Sequence, residues 1–139
     1  MNFRESTDFG KSFLNAGNLE LGRKMQEDLL DAVDWAIARG VTTRDAVCIM
    51  GGSYGGYAVL VGVTQTPDVF RCGVEIVGVS NLVTFMETVP PYWGAIYEQF
   101  VHSMGDPRTE AGRALLLERS PALFTDRIKV PLLIGQGAN

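Results

Sequence analysis

One pentapeptide in the sequence has the residue types and spacing of a nucleophilic site, Gly51-Gly52-Ser53-Tyr54-Gly55. It follows a short apolar run and precedes a segment with helical character. In this strand–turn–helix context a Gly-x-Ser-x-Gly pattern forms a nucleophile elbow, in which a strained backbone exposes the serine hydroxyl. We therefore expect Ser53 to have a positive φ and to lie at a helix N-terminus, where the helix dipole favours negative charge.

The chemistry that this turn supports is acyl transfer. The Ser53 hydroxyl would attack a carbonyl group, and the backbone N–H of Tyr54 would stabilise the oxyanion that forms. We expect Gly51 and Gly55 to leave room around the serine and Gly56 to let the helix pack closely. The alternative is a glycine-rich turn with an incidental serine, but the flanking strand and helix favour the elbow.

Hydrophobic periodicity predicts the elements that position this turn. Apolar residues recur every four positions between Leu19 and Arg39, which predicts a helix that ends at Gly40. Short apolar runs predict buried strands at 47–50, 73–79 and 130–134. Further helices are predicted at 54–65, on either side of Pro90-Pro91, and from Asp106-Pro107 to Glu118. Strands that alternate with helices predict an α/β fold, a parallel sheet with helices on both faces.

Composition limits the classes of function. The 139 residues, 46% hydrophobic and 20% charged, are typical of one globular domain spanning 1–139. A net charge of −4 without a basic cluster argues against a nucleic-acid partner. No stretch approaches the roughly 18 apolar residues that cross a bilayer, and the N-terminus lacks the apolar core of a signal peptide. We expect a cytoplasmic protein without a membrane partner.

The cysteines, Cys48 and Cys72, both lie in apolar, strand-like surroundings. A disulfide and a shared metal ion are alternatives, but buried free thiols in a reducing cytoplasm are the favoured interpretation. Cysteines without nearby Cys or His partners make a poor metal site, so no metal and no cofactor are expected.

Residues 51–57, Gly51-Gly52-Ser53-Tyr54-Gly55-Gly56-Tyr57, resemble the nucleophile segment of the prolyl oligopeptidase family of serine peptidases. The similarity is greatest to the branch of acylaminoacyl-peptidases and dipeptidyl-peptidase-like enzymes. It extends over nearly the whole chain, through the segments 2–10, 25–35, 120–121 and 135–139. The resemblance implies a partial α/β-hydrolase fold, peptide substrates and an acyl-enzyme at Ser53.

The resemblance also implies roles for residues outside the elbow. Glu5 and Asp8 stand where the family pattern has glycines, and the backbone N–H near Glu5 would complete the oxyanion hole with that of Tyr54. A carboxylate beside an oxyanion would repel it, which makes Glu5 an unfavourable donor. The pocket for the residue before the scissile bond would be walled by Tyr54 with Val79, Leu82 and Phe85, for which ordinary core packing is the alternative.

In the family the triad acid follows the Gly-Ala-Asn sequence at the end of this chain, and the histidine comes later. We therefore expect a central, truncated segment of a catalytic domain that lacks both partners of Ser53. His102 is the only histidine and hence the only substitute base of that kind, with Asp106 four residues on to orient it. We interpret His102 as a surface or structural residue, and we expect Glu75, in an apolar strand, to pair with a cation.

Three functions follow from these observations. The leading hypothesis is a serine peptidase that acts through a Ser53 acyl-enzyme. A carboxylesterase on the same scaffold is the second, because the elbow does not distinguish amides from esters. The third is a catalytically silent chain that acts by association. Since strands missing from either side would leave sheet edges unpaired, we expect a homo-oligomer formed through those edges.

Overall fold

Helices and parallel strands alternate along the chain in the computed structural model, which describes residues 1–137. The elements are α1 (Lys11–Asn15), α2 (Lys24–Ala38), β1 (Cys48–Gly52), α3 (Tyr54–Gln65), β2 (Cys72–Ile76), α4 (Leu82–Thr88), α5 (Gly94–Met104), α6 (Glu110–Glu118) and β3 (Leu132–Gly135). Two 3₁₀ segments, Pro91–Trp93 and Pro121–Arg127, complete the list. The partial α/β fold expected from the sequence is confirmed. Ala138 and Asn139, part of the family-like C-terminal segment, lie outside the described residues.

The chain divides into two units. The first unit contains Met1–Leu29 and Asn81–Ser120, and the second contains Leu30–Ser80 together with the residues from Pro121 onward. The boundary falls within α2, between Leu29 and Leu30.

The second unit is built around α3 and a parallel sheet of order β1-β2-β3. On one face of the sheet, a Cβ added to Gly73 would lie 3.0 Å from Val59 and 3.2 Å from Val63, both on α3. Both valines are completely buried. A helix that is apolar on nearly all sides forms the core of a unit, and α3 has that role here.

The opposite face of the sheet is exposed. The strand register aligns Met50, Val74 and Leu133 on this face, because successive side chains of a strand point to opposite sides. Met50 is 71% exposed and Leu133 is 66% exposed. Within residues 1–137, therefore, a packed helix lies against one face of the sheet, and the second face carries unburied apolar side chains.

The first unit has its own buried residues and one paired charge. Leu82 and Leu116 are among its core side chains, and α4 packs against α6. Asp28 accepts hydrogen bonds at 2.8 and 2.6 Å from the Arg4 guanidinium and a third, at 2.9 Å, from the Arg4 backbone N–H. These bonds hold the pKa of Asp28 below its ordinary value.

Several predicted boundaries were wrong for identifiable reasons. The helix predicted from Asp106-Pro107 begins at Glu110, because the Thr109 hydroxyl caps it by accepting the N–H of Gly112 at 3.0 Å. The helix predicted from Leu19 begins at Lys24, since Leu19 has a φ of 59°.

The cysteines do not form the free thiols that we expected. Cys48 and Cys72 are joined by a disulfide, with their Cα atoms 4.8 Å apart. The register of β1 and β2 places the two residues directly opposite each other, which brings the thiols within bonding distance. A disulfide is typical of an oxidising compartment, whereas cytoplasmic proteins usually keep their thiols reduced, so the cytoplasmic location stays a prediction. Across the described part of the chain, no helix has both the length and the apolar character to span a membrane.

Candidate active site

Ser53 occupies the sharp turn between β1 and α3. Its φ of 55° and ψ of −116° lie outside ordinary helix and strand geometry, so the predicted positive φ is confirmed. The residue is exposed, and its side chain makes no capping hydrogen bond to the helix that follows. A serine normally favours such a bond at this position. The turn therefore keeps the hydroxyl accessible at the N-terminus of a twelve-residue helix.

The glycines around Ser53 differ in how closely the surrounding backbone packs against them. A Cβ on Gly51 would lie 2.5 Å from the carbonyl carbon of Gly55, which no side chain can do. Among residues 1–137, a Cβ on Gly55 would meet nothing within 4 Å, so packing within the described chain does not require a glycine there, and the expected role of Gly55 stays a prediction. Position 51 requires a glycine because the backbone of Gly55 lies against it, whereas a Cβ on Gly55 would not contact Gly51.

The turn after β2 contacts the backbone of the elbow, and the sequence analysis did not predict this contact. The backbone N–H of Ser53 donates to the carbonyl of Ile76 at 2.9 Å. A Cβ on Gly56 would lie 2.7 Å from the Cα of Gly78, so the two backbones are in close contact. Between these residues, Val77 has a φ of 49°, which is an outlier for a β-branched residue. Strained backbone of this kind clusters at functional sites.

Tyr54 is the first residue of α3. The first N–H groups of a helix have no acceptor within the helix, which is the property that an oxyanion donor requires. Its ring lies 5.9 Å from that of Tyr57, and Tyr57 is 1% exposed. This packing fixes the start of the helix that carries the predicted donor.

Glu5 lies in the first unit. Its φ of 74° shows that this side chain adopts the left-handed geometry for which the family pattern uses glycine. Its backbone N–H donates to the carbonyl of Phe13 at 3.1 Å. Burial raises the pKa of the Glu5 carboxyl group. Its predicted role as oxyanion donor stays a prediction, and it requires the bond to Phe13 to open.

His102 is exposed in the last turn of α5, in the first unit. Its Nε2 lies 3.0 Å from Nδ2 of Asn18. Asp106 does not orient the imidazole: α5 ends at Met104, and the Asp106 carboxylate binds the Arg108 guanidinium at 2.8 and 3.0 Å. The surface interpretation of His102 fits these contacts.

The four residues predicted to wall a substrate pocket, Tyr54, Val79, Leu82 and Phe85, are divided between the two units. Leu82 and Phe85 lie on α4 in the first unit, where Leu82 is 2% exposed and the Phe85 ring is 5.4 Å from that of Phe100. Val79 follows β2 and lies in the second unit, which also contains Ser53 and Tyr54. The burial of Leu82 and the ring contact of Phe85 are those of ordinary core packing.

A separate cavity of about 430 Å³ lies in the second unit. Its walls are mostly apolar and include Leu60, Leu132 and Pro121, whereas Ser53 does not line it. Among residues 1–137, no cluster of three or more His, Cys, Asp or Glu side chains could hold a metal ion.

The elbow geometry agrees with comparisons to known proteins. The family model described as prolyl oligopeptidase family matches residues 1–139. The chain belongs to this family. It is 64% identical over 139 residues to dipeptidyl aminopeptidase BIII of Pseudoxanthomonas mexicana, covering 100% of this chain and 20% of that protein. It is 51% identical over 140 residues to dipeptidyl peptidase family member 6 of Caenorhabditis elegans, covering 100% of this chain and 19% of that protein.

Solved structures give the same assignment. A puromycin-hydrolyzing peptidase of Mycobacterium tuberculosis is similar with a TM-score of 0.84 at 28% identity, over 96% of this chain and 20% of that one. The chain thus spans about a fifth of the length of the relatives that it matches. The recognition of the family from residues 51–57 and the other matching segments is confirmed.

Proposed function

We propose that this chain supplies the nucleophile of a serine peptidase, with Ser53 forming the acyl-enzyme. The observation that carries the proposal is the backbone of Ser53, whose φ of 55° between β1 and α3 matches a nucleophile elbow in a family of peptidases. Peptides are favoured over esters as substrates because the relatives named above are peptidases. The pocket roles of Val79, Leu82 and Phe85 are part of the same proposal.

The proposed reaction forms a bond between the Ser53 Oγ and the substrate's carbonyl carbon. The hydroxyl proton passes to a general base, and the tetrahedral oxyanion receives the N–H of Tyr54. Collapse expels the amine, which takes up a proton, and water then hydrolyses the ester. Because the chain spans a fifth of its relatives, we assign the base and the triad acid to polypeptide outside residues 1–139 and not to His102.

A fluorophosphonate tests the nucleophile directly, because a serine in an elbow reacts faster than other exposed serines. Since the general base is assigned outside the chain, labelling of the chain by itself should be slow and is followed over a long incubation. Peptide mapping by mass spectrometry should locate one adduct, on Ser53, and the Ser53→Ala variant should lose it. Ser12→Ala changes an exposed serine on α1 and is the matched control, which should label like the unmodified chain. Adducts spread over several serines, or none on Ser53, would contradict the proposal and favour a chain that acts by association.

A further inference from the structure

Glu75, on the central strand β2, is only 2% exposed although its side chain ends in a carboxyl group. The register places it between Gly51 and Ile134, on the sheet face that α3 covers. A buried carboxyl group costs free energy unless its oxygens receive hydrogen bonds. Within the described chain Glu75 takes part in no ion pair, contrary to the expected cation partner. Its Oε1 instead accepts the backbone N–H of Gly78.

This hydrogen bond closes the turn that follows β2. It joins a side chain to an N–H three residues further on, so that Val77 lies inside the closed ring. Val77 has a φ of 49°, which its branched Cβ disfavours. A contact that fixes both ends of the turn holds the intervening residue in this unfavourable geometry.

The closed turn is in contact with the nucleophile at two points. The carbonyl of Ile76 accepts the Ser53 N–H at 2.9 Å. The Cα of Gly78 lies so close to Gly56 that a Cβ there would be 2.7 Å away. We propose that Glu75 is a positioning residue for Ser53, because its bond to Gly78 holds the turn that supports the elbow. This inference rests on the proposed role of Ser53 as the nucleophile.

Three substitutions of Glu75 test separately the side-chain oxygen that accepts the Gly78 N–H, the charge of the side chain and its length. Glu75→Gln keeps the acceptor oxygen without the charge, Glu75→Asp keeps the charge on a shorter side chain, and Glu75→Met keeps the length without oxygens. The measurements are amide hydrogen exchange at Ser53 and Gly78 and the rate of fluorophosphonate labelling at Ser53. We expect the Gln variant to match the unmodified chain. In the Asp and Met variants, the amides of Ser53 and Gly78 should exchange at least about 10-fold faster, because the hydrogen bond to Gly78 is lost. Labelling of Ser53 should be at least about 10-fold slower.

Two controls separate positioning from loss of stability. Amides in the middle of α3, at Val61 and Val63, should keep their exchange rates, whereas a general loss of stability would accelerate them equally and contradict the proposal. Val77→Gly removes the disfavoured geometry, so adding it to Glu75→Met should restore part of the labelling rate.

Other outcomes would overturn the inference. Equal exchange and labelling in the Met variant and the unmodified chain would do so, and so would a Gln variant as impaired as the Met variant. If the Met variant does not fold, the comparison of Gln with Asp decides the question. An unmodified chain without labelling at Ser53 would contradict the peptidase proposal, and the exchange comparison would still test the role of Glu75.

Discussion

The backbone N–H of Ser53 donates a 2.9 Å hydrogen bond to the carbonyl of Ile76, which joins the nucleophile turn to the end of the neighbouring strand. Ser53 is thus held by two turns, one at the end of β1 and one at the end of β2. Parallel strands bring their carboxyl ends to the same edge of a sheet, which makes this support available.

The two elbow glycines provide a matched pair of substitutions. Gly51→Ala should lower the free energy of unfolding by about 2–3 kcal/mol, because its Cβ would collide with backbone at Gly55 that cannot move aside. Gly55→Ala should leave stability unchanged or raise it by up to about 1 kcal/mol, since its Cβ would meet open space and alanine favours a helix. Urea unfolding measures both. Equal effects of the two substitutions would show that the described approach of Gly55 to Gly51 is wrong.

Several features could be predicted from the sequence because local signals determine them. The bounds of α3, Tyr54–Gln65, matched the prediction, since a glycine-rich turn starts the helix and Pro67 limits its end. The positive φ of Ser53 followed from the same motif.

Other features depend on how distant segments pair. The register that places Cys48 opposite Cys72 is not encoded in either strand alone, so the sequence left the disulfide as an alternative and favoured free thiols. Glu75 was recognisable as an unusual acid in an apolar strand, but its partner depends on the turn at Gly78. The end of β2 at Ile76 follows from the left-handed Val77, which no propensity of valine predicts.

The pairing of Arg4 with Asp28 should make the stability of the first unit sensitive to acid. The folded-state pKa of Asp28 is lowered from 3.8, so its contribution is complete above that value and is lost as the pH falls through the lower, folded-state pKa. Asp28→Asn should therefore reduce stability by about 1–2 kcal/mol at neutral pH, from loss of hydrogen bonds to a charged group. The difference from the unmodified chain should shrink as the pH falls below 3.8.

Urea midpoints at a series of pH values measure this dependence. Asp106→Asn, whose partner Arg108 is 59% exposed, is the control and should change the midpoint little. If the urea midpoints of Asp28→Asn and of the unmodified chain differ by the same amount at every pH, the stability difference does not come from the Asp28 carboxylate that is paired with Arg4.

The uncovered sheet face predicts that the isolated chain self-associates. This face is a second surface for association, besides the sheet edges expected from the sequence. Met50 and Leu133 project apolar side chains from this face at 71% and 66% exposure, and large exposed apolar patches mark association sites. Light scattering at tens of micromolar should detect species larger than a monomer. Met50→Lys combined with Leu133→Lys should reduce their amount, whereas Val41→Lys, at an exposed apolar residue outside the sheet, should not. A monomeric unmodified chain would contradict this prediction.

The chain by itself should hydrolyse its substrates very slowly, because we assign the general base and the triad acid to polypeptide outside it. In a well-studied serine protease, loss of the histidine alone costs about 10⁶-fold in kcat, which corresponds to about 8 kcal/mol of barrier. The oxyanion hole and binding then leave a residual rate of about 10³–10⁴ over water. Peptide amides should show no measurable hydrolysis under these conditions, whereas activated aryl esters should show at most a slow turnover.

Aryl-ester hydrolysis by the unmodified chain, Ser53→Ala and His102→Gln, compared side by side, tests the central claim most directly. We predict a slow turnover that disappears in Ser53→Ala and is unchanged in His102→Gln, because we propose Ser53 as the nucleophile, whereas His102 is an exposed residue that lies 3.0 Å from the Asn18 amide. Turnover that persists in Ser53→Ala would contradict the assignment of the nucleophile. Robust turnover that is lost in His102→Gln would show instead that a substitute dyad operates.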